Sequence, residues 1–427
     1  MKNQLIGLPA AVVLALVAAP SARAIDVTAG AWTLSFDGNV NANYIYSHCA
    51  QSPEGVPAIA DLPLACTSPS TSDSSSSVSN GLLPAALTVS GATKQDGFDI
   101  GFTFGLYPGI STNDGGSPNL QSGGSHTALG TAGLDVRQVF LTVGNSRFGT
   151  IMAGRNIGLF AADAILNDMT LLGVGAGNGS YAAPANTSLG SIGLGYIYTD
   201  WLSQINYTTP DMGGAKVTFG IFDPLNSLTQ APINHSTPGF QAKIAYTLGP
   251  LYLSASGLSQ QQRIPCTGLT AGGCALATQP GSYDSFGANA FDLGGKYDLQ
   301  GFELAGWYYR AKGVGTTGLF AFNYDDAGNA RDSDGFLAQL TYTIGREKMG
   351  VNYGVSKLDP TALDILSCTG LAASCALERN SKWTLGNYYN LTSNLLIVTE
   401  FTRTTSVDIY NTQINSWNLN AGLFLKF

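Results

Sequence analysis

The stretch Trp32-Thr33-Leu34-Ser35-Phe36-Asp37-Gly38-Asn39-Val40-Asn41-Ala42-Asn43-Tyr44-Ile45-Tyr46 decides how the rest of the chain is read. Trp32, Leu34, Phe36, Val40, Ala42, Tyr44 and Tyr46 alternate with Thr33, Ser35, Asp37, Asn39, Asn41 and Asn43. A strand with this period puts apolar groups on one face and amides or carboxylates on the other. Strands in soluble sheets average about five or six residues, whereas one tilted across a bilayer needs about 9–11. This stretch is long enough to cross. Phe98, Ile100, Phe102, Phe104 and Leu106 repeat the pattern, as do Phe336, Ala338, Leu340, Tyr342 and Ile344.

Composition agrees with a chain wet on one side and oily on the other. Of 427 residues 44% are hydrophobic and only 11% charged, with 53 Gly, 19 Tyr and 19 Phe; a globular chain carries roughly 25% charged residues. The strand faces carry Phe, Tyr, Leu and Ala where a soluble sandwich or propeller needs charge, and in water they would form one large adhesive patch. No internal apolar run reaches helical-span length, which excludes a helical membrane protein.

Residues 1–24 read as a secretory signal peptide: Lys2 supplies the positive start, Leu5 to Ala19 the apolar core, and Ala22-Arg23-Ala24 the small residues before cleavage. The mature chain is expected to begin at Ile25 and to form one domain over 25–427. Without Lys2 and Arg23 it has 18 basic against 28 acidic residues, a net charge of −10. That balance argues against nucleic acid and biases any enclosed passage toward negative potential.

Connections alternate between short and long. Short turns fall near 94–97, 144–148, 210–214, 248–250, 298–301, 345–348 and 391–394; long ones cover about 47–80, 108–132, 156–188, 223–237, 263–284, 313–332 and 359–380, with a shorter eighth near 407–412. The expected fold is therefore all-β, a transmembrane antiparallel β-barrel of about 16 strands. Barrels of that size keep an aqueous lumen, which implies a water-filled channel for passive diffusion of small hydrophilic solutes and ions.

Six cysteines form three close pairs, Cys49/Cys66, Cys266/Cys274 and Cys368/Cys375, all expected in long loops. In a secreted chain they read as disulfides between nearest neighbours. The rival, a metal site, lacks CxxC spacing, and only His48 adjoins a cysteine. His48, His126 and His235 fall in expected loops with no spaced partners, so no catalytic constellation is visible. Asp325, Asp326, Asp332 and Asp334 suggest either a calcium site or a solvated acidic loop bridged by divalent ions to lipopolysaccharide. No metal, cofactor or catalytic residue is assigned.

At this level the chain resembles the general trimeric porins of Gram-negative outer membranes. Leu419 to Phe427 is similar to their last strand, and the terminal Phe427 to the signal read by the barrel-assembly machinery. Arg137-Gln138-Val139-Phe140-Leu141, the turn Asn145-Ser146-Arg147-Phe148-Gly149, and Gly154-Arg155-Asn156 match the family's stretch leading into a third loop that folds into the pore. The resemblance places Arg137 at the basic constriction position and Asp168 at the acidic one, with Arg155 and Asp163 as further constriction candidates. It puts Leu172 where the family has a second acid, and the basic ladder falls near Ala86 and Ser191. An eyelet with fewer charges follows: weakly selective, mildly cation-preferring, and tolerant of neutral or aromatic solutes. Asp37, Asn39 and Arg310 are expected on the pore wall. The resemblance also implies a homotrimer in the lipid bilayer, in contact with lipopolysaccharide. The alternatives are a substrate-selective channel for organic acids or aromatic compounds, or a barrel adhesin.

Overall fold

The computed structural model describes residues 25–50, 59, 60, 63–66, 74–110, 134–177, 187–227, 233–266, 283–368 and 375–427. The expected signal segment 1–24, His126 and Cys274 lie outside the described residues. Eighteen strands form one antiparallel sheet: β1 (Ile25–Ala29), β2 (Trp32–Ala50), β3 (Ser74–Ser79), β4 (Ala86–Gln95), β5 (Phe98–Pro108), β6 (Leu134–Asn145), β7 (Gly149–Ile157), β8 (Trp201–Thr208), β9 (Ala215–Phe222), β10 (Gly239–Leu248), β11 (Leu251–Pro265), β12 (Tyr283–Leu299), β13 (Phe302–Lys312), β14 (Asp332–Ile344), β15 (Glu347–Leu358), β16 (Leu377–Asn390), β17 (Leu395–Asp408) and β18 (Gln413–Lys426). Strands β1 and β3 are short and prolong edges of β2 beyond the reach of β18 and β4. The other sixteen strands close the wall.

Closure is made by β18 against β2, from Asn415↔Ala50 to Lys426↔Asn39. Phe427 completes the seam by exchanging backbone hydrogen bonds with Gly38 at 3.0 and 3.1 Å. A Cβ on Gly38 would run into the Phe427 ring and the Ala86 carbonyl, so only glycine admits the terminal aromatic there. A closed sheet leaves no edge for lipid to desolvate. Among the described residues no helix is long and apolar enough to cross a membrane; the crossing is made by strands.

The barrel is polar inside and apolar outside. Asn39, Asn41 and Asn43 are buried, while the alternating Val40 and Tyr44 are exposed. Outward rings form belts toward both ends: Tyr46, Trp383, Phe401 and Trp417 on one side, Trp32, Phe102, Phe148, Tyr207 and Phe219 on the other. Aromatic rings favour the membrane–water boundary because one end can be wet. At the short-turn end, Asp96-Gly97 and Gln300-Gly301 join their strands with positive φ at both residues (49° and 82°; 49° and 90°). Such two-residue turns match the strand twist.

Two expected boundaries need correction. Strand β2 runs on to Ala50, so His48 and Cys49 lie in a strand, held there by pairing with Trp417 and Ser416 of β18. The third loop does not end near 188. Residues 187–200 remain inside the barrel, and the strand starts at Trp201. Ile192, Leu194 and Tyr196 are buried in a cluster with Trp307 and Leu337, which favours the irregular path over a strand on the wall.

The disulfides Cys49–Cys66 and Cys368–Cys375 are present, with Cα separations of 5.8 and 5.0 Å. Cys266 is also disulfide-bonded. Both described pairs sit where the first and seventh loops meet. There Ala60 N–H donates to the Cys375 carbonyl (2.8 Å), and Ile59, Ala65, Leu377 and Ile414 pack together.

Candidate functional site

The third loop, between β7 and β8, shapes the lumen. It contains α1 (Ala162–Leu166) and a 3-10 turn (Met169–Leu172). The loop follows the inner wall across more than half the barrel. Leu159 N–H donates to Gln241 of β10 (2.9 Å) and Ala161 N–H to Ser256 of β11 (3.1 Å). Gln339 of β14 bonds both Met169 N–H (2.9 Å) and the Asn167 carbonyl (2.6 Å). Gly177 N–H ends the track on Asn418 of β18 (3.1 Å). Residues 81–83 of the first loop lie against it, Leu82 N–H bonding the Gly173 carbonyl (2.8 Å).

One carboxylate fastens the middle of the loop. Glu400 of β17 is 2% exposed. Its Oε2 accepts Val174 N–H and Gly175 N–H, both at 2.8 Å, and Oε1 accepts the Tyr388 hydroxyl at 2.5 Å. A Cβ at Gly173 would collide with this carboxylate, so the close approach requires glycine. Charge-assisted bonds to backbone N–H groups are among the stronger hydrogen bonds. Around the clamp, Met169 packs with Tyr388, Leu396, Val398 and Phe424, which is why β17 reads apolar on both faces.

These contacts revise the expected constriction. Asp168 caps the 3-10 turn: its carboxylate accepts Thr170 N–H (2.9 Å), the Thr170 and Tyr196 hydroxyls (2.8 and 2.9 Å) and Asn352 Nδ2 (3.2 Å). Arg137 points inward from β6, but it pairs with Asp135 at 2.7 Å and lies over the rings of Tyr107 and Trp201. Both side chains are buried, so the opposed charges are enclosed by local partners rather than presented to the passage. Asp163 turns to the wall and binds Lys243 (3.1 Å) and the Tyr252 hydroxyl (2.9 Å). Leu172 is half-buried and packs against the cluster of Met169, Tyr388 and Leu396.

Arg155 and Arg310 are misplaced by the sequence reading. Arg155 is cross-strand from outward Val139, and its guanidinium reaches the Val136 carbonyl (3.1 Å). Arg310 is paired with Phe291 and Asp334 on the outer face. Strand parity decides both: Gly154 and Tyr309 take the inward positions. Asp37 and Asn39 do point inward, Asn39 buried under the Asn41 amide (2.8 Å) and Asp37 half-exposed opposite Thr88. Between the loop's edge and β4–β7, the inward side chains Thr88, Ser90, Thr103, Thr142 and Met152 stay half-exposed. The passage is therefore on that side.

The acidic residues at 325–334 are not gathered into one group, and Asp325 is taken up by local donors. Asp325 accepts Thr361 Oγ1 (2.6 Å), Asn329 Nδ2 (2.9 Å) and the N–H groups of Ala327 and Asn329 (2.9 Å each). Burial opposes its charge, yet these bonds outweigh it and hold its carboxyl below the usual range. Among the described residues no group of three or more His, Cys, Asp or Glu is placed to hold a metal ion. Neighbouring Arg331 forks onto Asp364 at 2.6 and 2.9 Å, joining the sixth loop to α2 (Ala362–Ser367) of the seventh.

A sequence profile described as Gram-negative porin matches residues 10–408. The chain belongs to the Gram-negative porin family. Solved porin-type channels share its fold. The outer membrane channel DcaP of Acinetobacter baumannii is 14% identical, with 94% of this chain and 99% of that one covered and a TM-score of 0.63. OmpF of Salmonella typhi, solved with daunomycin, is 12% identical over 94% and 100% (TM-score 0.57). The trimer form of OmpT from Vibrio cholerae is 14% identical over 93% and 100% (TM-score 0.53). No curated protein matches the sequence significantly. This porin is an outer-membrane channel for passive diffusion, and its family and fold are those of non-enzymatic channels.

Sequence reasoning missed the residues that place the loop and charge the lumen: Glu400, Lys243, Lys296, Glu303 and Lys348. Each is a charge at an inward position of a strand, a signal that strand parity could have supplied.

Proposed function

We infer that this porin passes small hydrophilic solutes and ions with weak charge selectivity, mildly favouring cations. The carrying observation is that inward charges stand in opposite-sign pairs: Asp163 is paired with Lys243 and Glu303 with Lys296 and Lys348, and Arg137 is enclosed with Asp135. The acid excess of the chain supplies the mild bias. The apolar edge of the third loop, Leu166 and Leu172, supports passage of neutral or aromatic solutes. In a planar bilayer under a salt gradient, the reversal potential is expected to lie near zero on the cation-selective side. Strong anion selectivity would refute this.

The reading extends to assembly: a homotrimer of chains cleaved before Ile25, inserted by the barrel-assembly machinery through Phe427 and contacting lipopolysaccharide. The trimeric state of the similar OmpT supports the oligomer. Native mass spectrometry of detergent-extracted protein tests both size and start, with three chains beginning at Ile25 as the expected mass; a monomer, or a retained leader, contradicts it.

A further inference from the structure

Directly beneath the third loop, on the short-turn side, lies a charged cluster that diffusion alone does not require. Lys296 of β12, Glu303 of β13 and Lys348 of β15 all occupy inward positions, in register with Tyr252, Thr341 and Thr343. Both ammonium groups share the single carboxylate, Lys296 Nζ at 3.5 Å and Lys348 Nζ at 3.6 Å. Two residues above Lys348, Gly350 faces the Met169 sulfur, and two above Glu303, Ala305 packs in the cluster containing Ala164 and Ile165. The trio thus lies directly below the part of the wall that the loop covers.

The exposures differ in sense. The lysine side chains are 24% and 22% exposed and the glutamate 13%, and Asp298, exposed and cross-strand from Glu303, adds a second carboxylate on the same face. Asp37 lies half-exposed on β2, across the barrel from β12. Asp292, a further inward acid of β12, is buried against Ser256.

We propose that Lys296 and Lys348 form a docking station for a carboxylate group of a permeating solute. Glu303 is the built-in template: it shows that a carboxylate fits between the two ammonium groups, and its long contacts leave N–H donors for a second one. The station rests on the channel reading and names a preferred solute class, small organic acid anions.

A unit charge about 7 Å from the path in a water-like medium changes local ion concentration about threefold before screening. In bilayers holding the purified full-length porin, K296Q and K348Q are each expected to lower the anion-over-cation permeability ratio by about two- to sevenfold, because anions lose what cations gain and salt screens part of both, and E303Q to raise it. With acetate replacing chloride on one side, the wild type is expected to pass acetate better than free mobility predicts, and the K296Q/K348Q double variant to fall to the mobility ratio. K357Q, on the outer face of β15, removes the same charge and should change neither. A wild-type ratio already equal to free mobility, or an equal response to K357Q, overturns the station while leaving the channel intact. Absence of stepwise conductance in the wild type overturns the channel itself.

Discussion

Replacing Glu400 by alanine is expected to loosen the third loop and turn a quiet channel into a flickering one. The substitution removes the acceptor of two buried N–H groups, Val174 and Gly175, and the partner of the Tyr388 hydroxyl. Leaving a buried donor unsatisfied costs about 1–3 kcal/mol. A net loss of about 2–4 kcal/mol raises the detached population of the loop roughly thirty- to several-hundred-fold. Glu400→Gln keeps acceptor capacity and should fall between. Single-channel noise and limited proteolysis within 158–177 report the change. Currents as steady as the wild type, with cleavage unaltered, would show that the remaining wall contacts hold the loop without the clamp.

Leu293→Arg is expected to cost about 2–4 kcal/mol of folding free energy into lipid vesicles, the penalty for a cation on the lipid face near the bilayer midplane. Leu293 is 51% exposed on the outside of β12, between the ring-bearing positions Phe291 and Tyr297. At an ordinary water-exposed site the same change stays within about 0.5 kcal/mol. Urea titration of vesicle-inserted protein distinguishes the two. A change under about 1 kcal/mol would mean that this face does not meet hydrocarbon.

The wall was legible because alternation at period two has one physical cause, two solvents on two faces. Trp32–Tyr44 shows it, and the Asp96-Gly97 turn is a local signal. The lumen was less legible for two reasons. Residue type was read without parity at Arg155 and Arg310, which carry charge but stand on the outer face. At Arg137 and Asp168 the type and direction were right, but the neighbours Asp135 and Thr170 absorb the charge, together with Trp201 and Asn352, which are close in space and not in sequence. In β17, Leu395-Leu396-Ile397-Val398 is apolar on both sides because one side meets lipid and the other the loop. No single-strand pattern separates those two environments, so Glu400 two residues later passed unnoticed.

The fastenings of the third loop also dictate an order of events during biogenesis. Its ties to Gln339, Glu400 and Asn418 span 170, 226 and 241 residues, so most of its seat is synthesised long after the segment itself. Contacts so distant along the chain form late and slowly. The eyelet is then the last feature to be furnished, after the staves have met, and a protein caught halfway through insertion would be a wide hoop with its restriction still hanging loose.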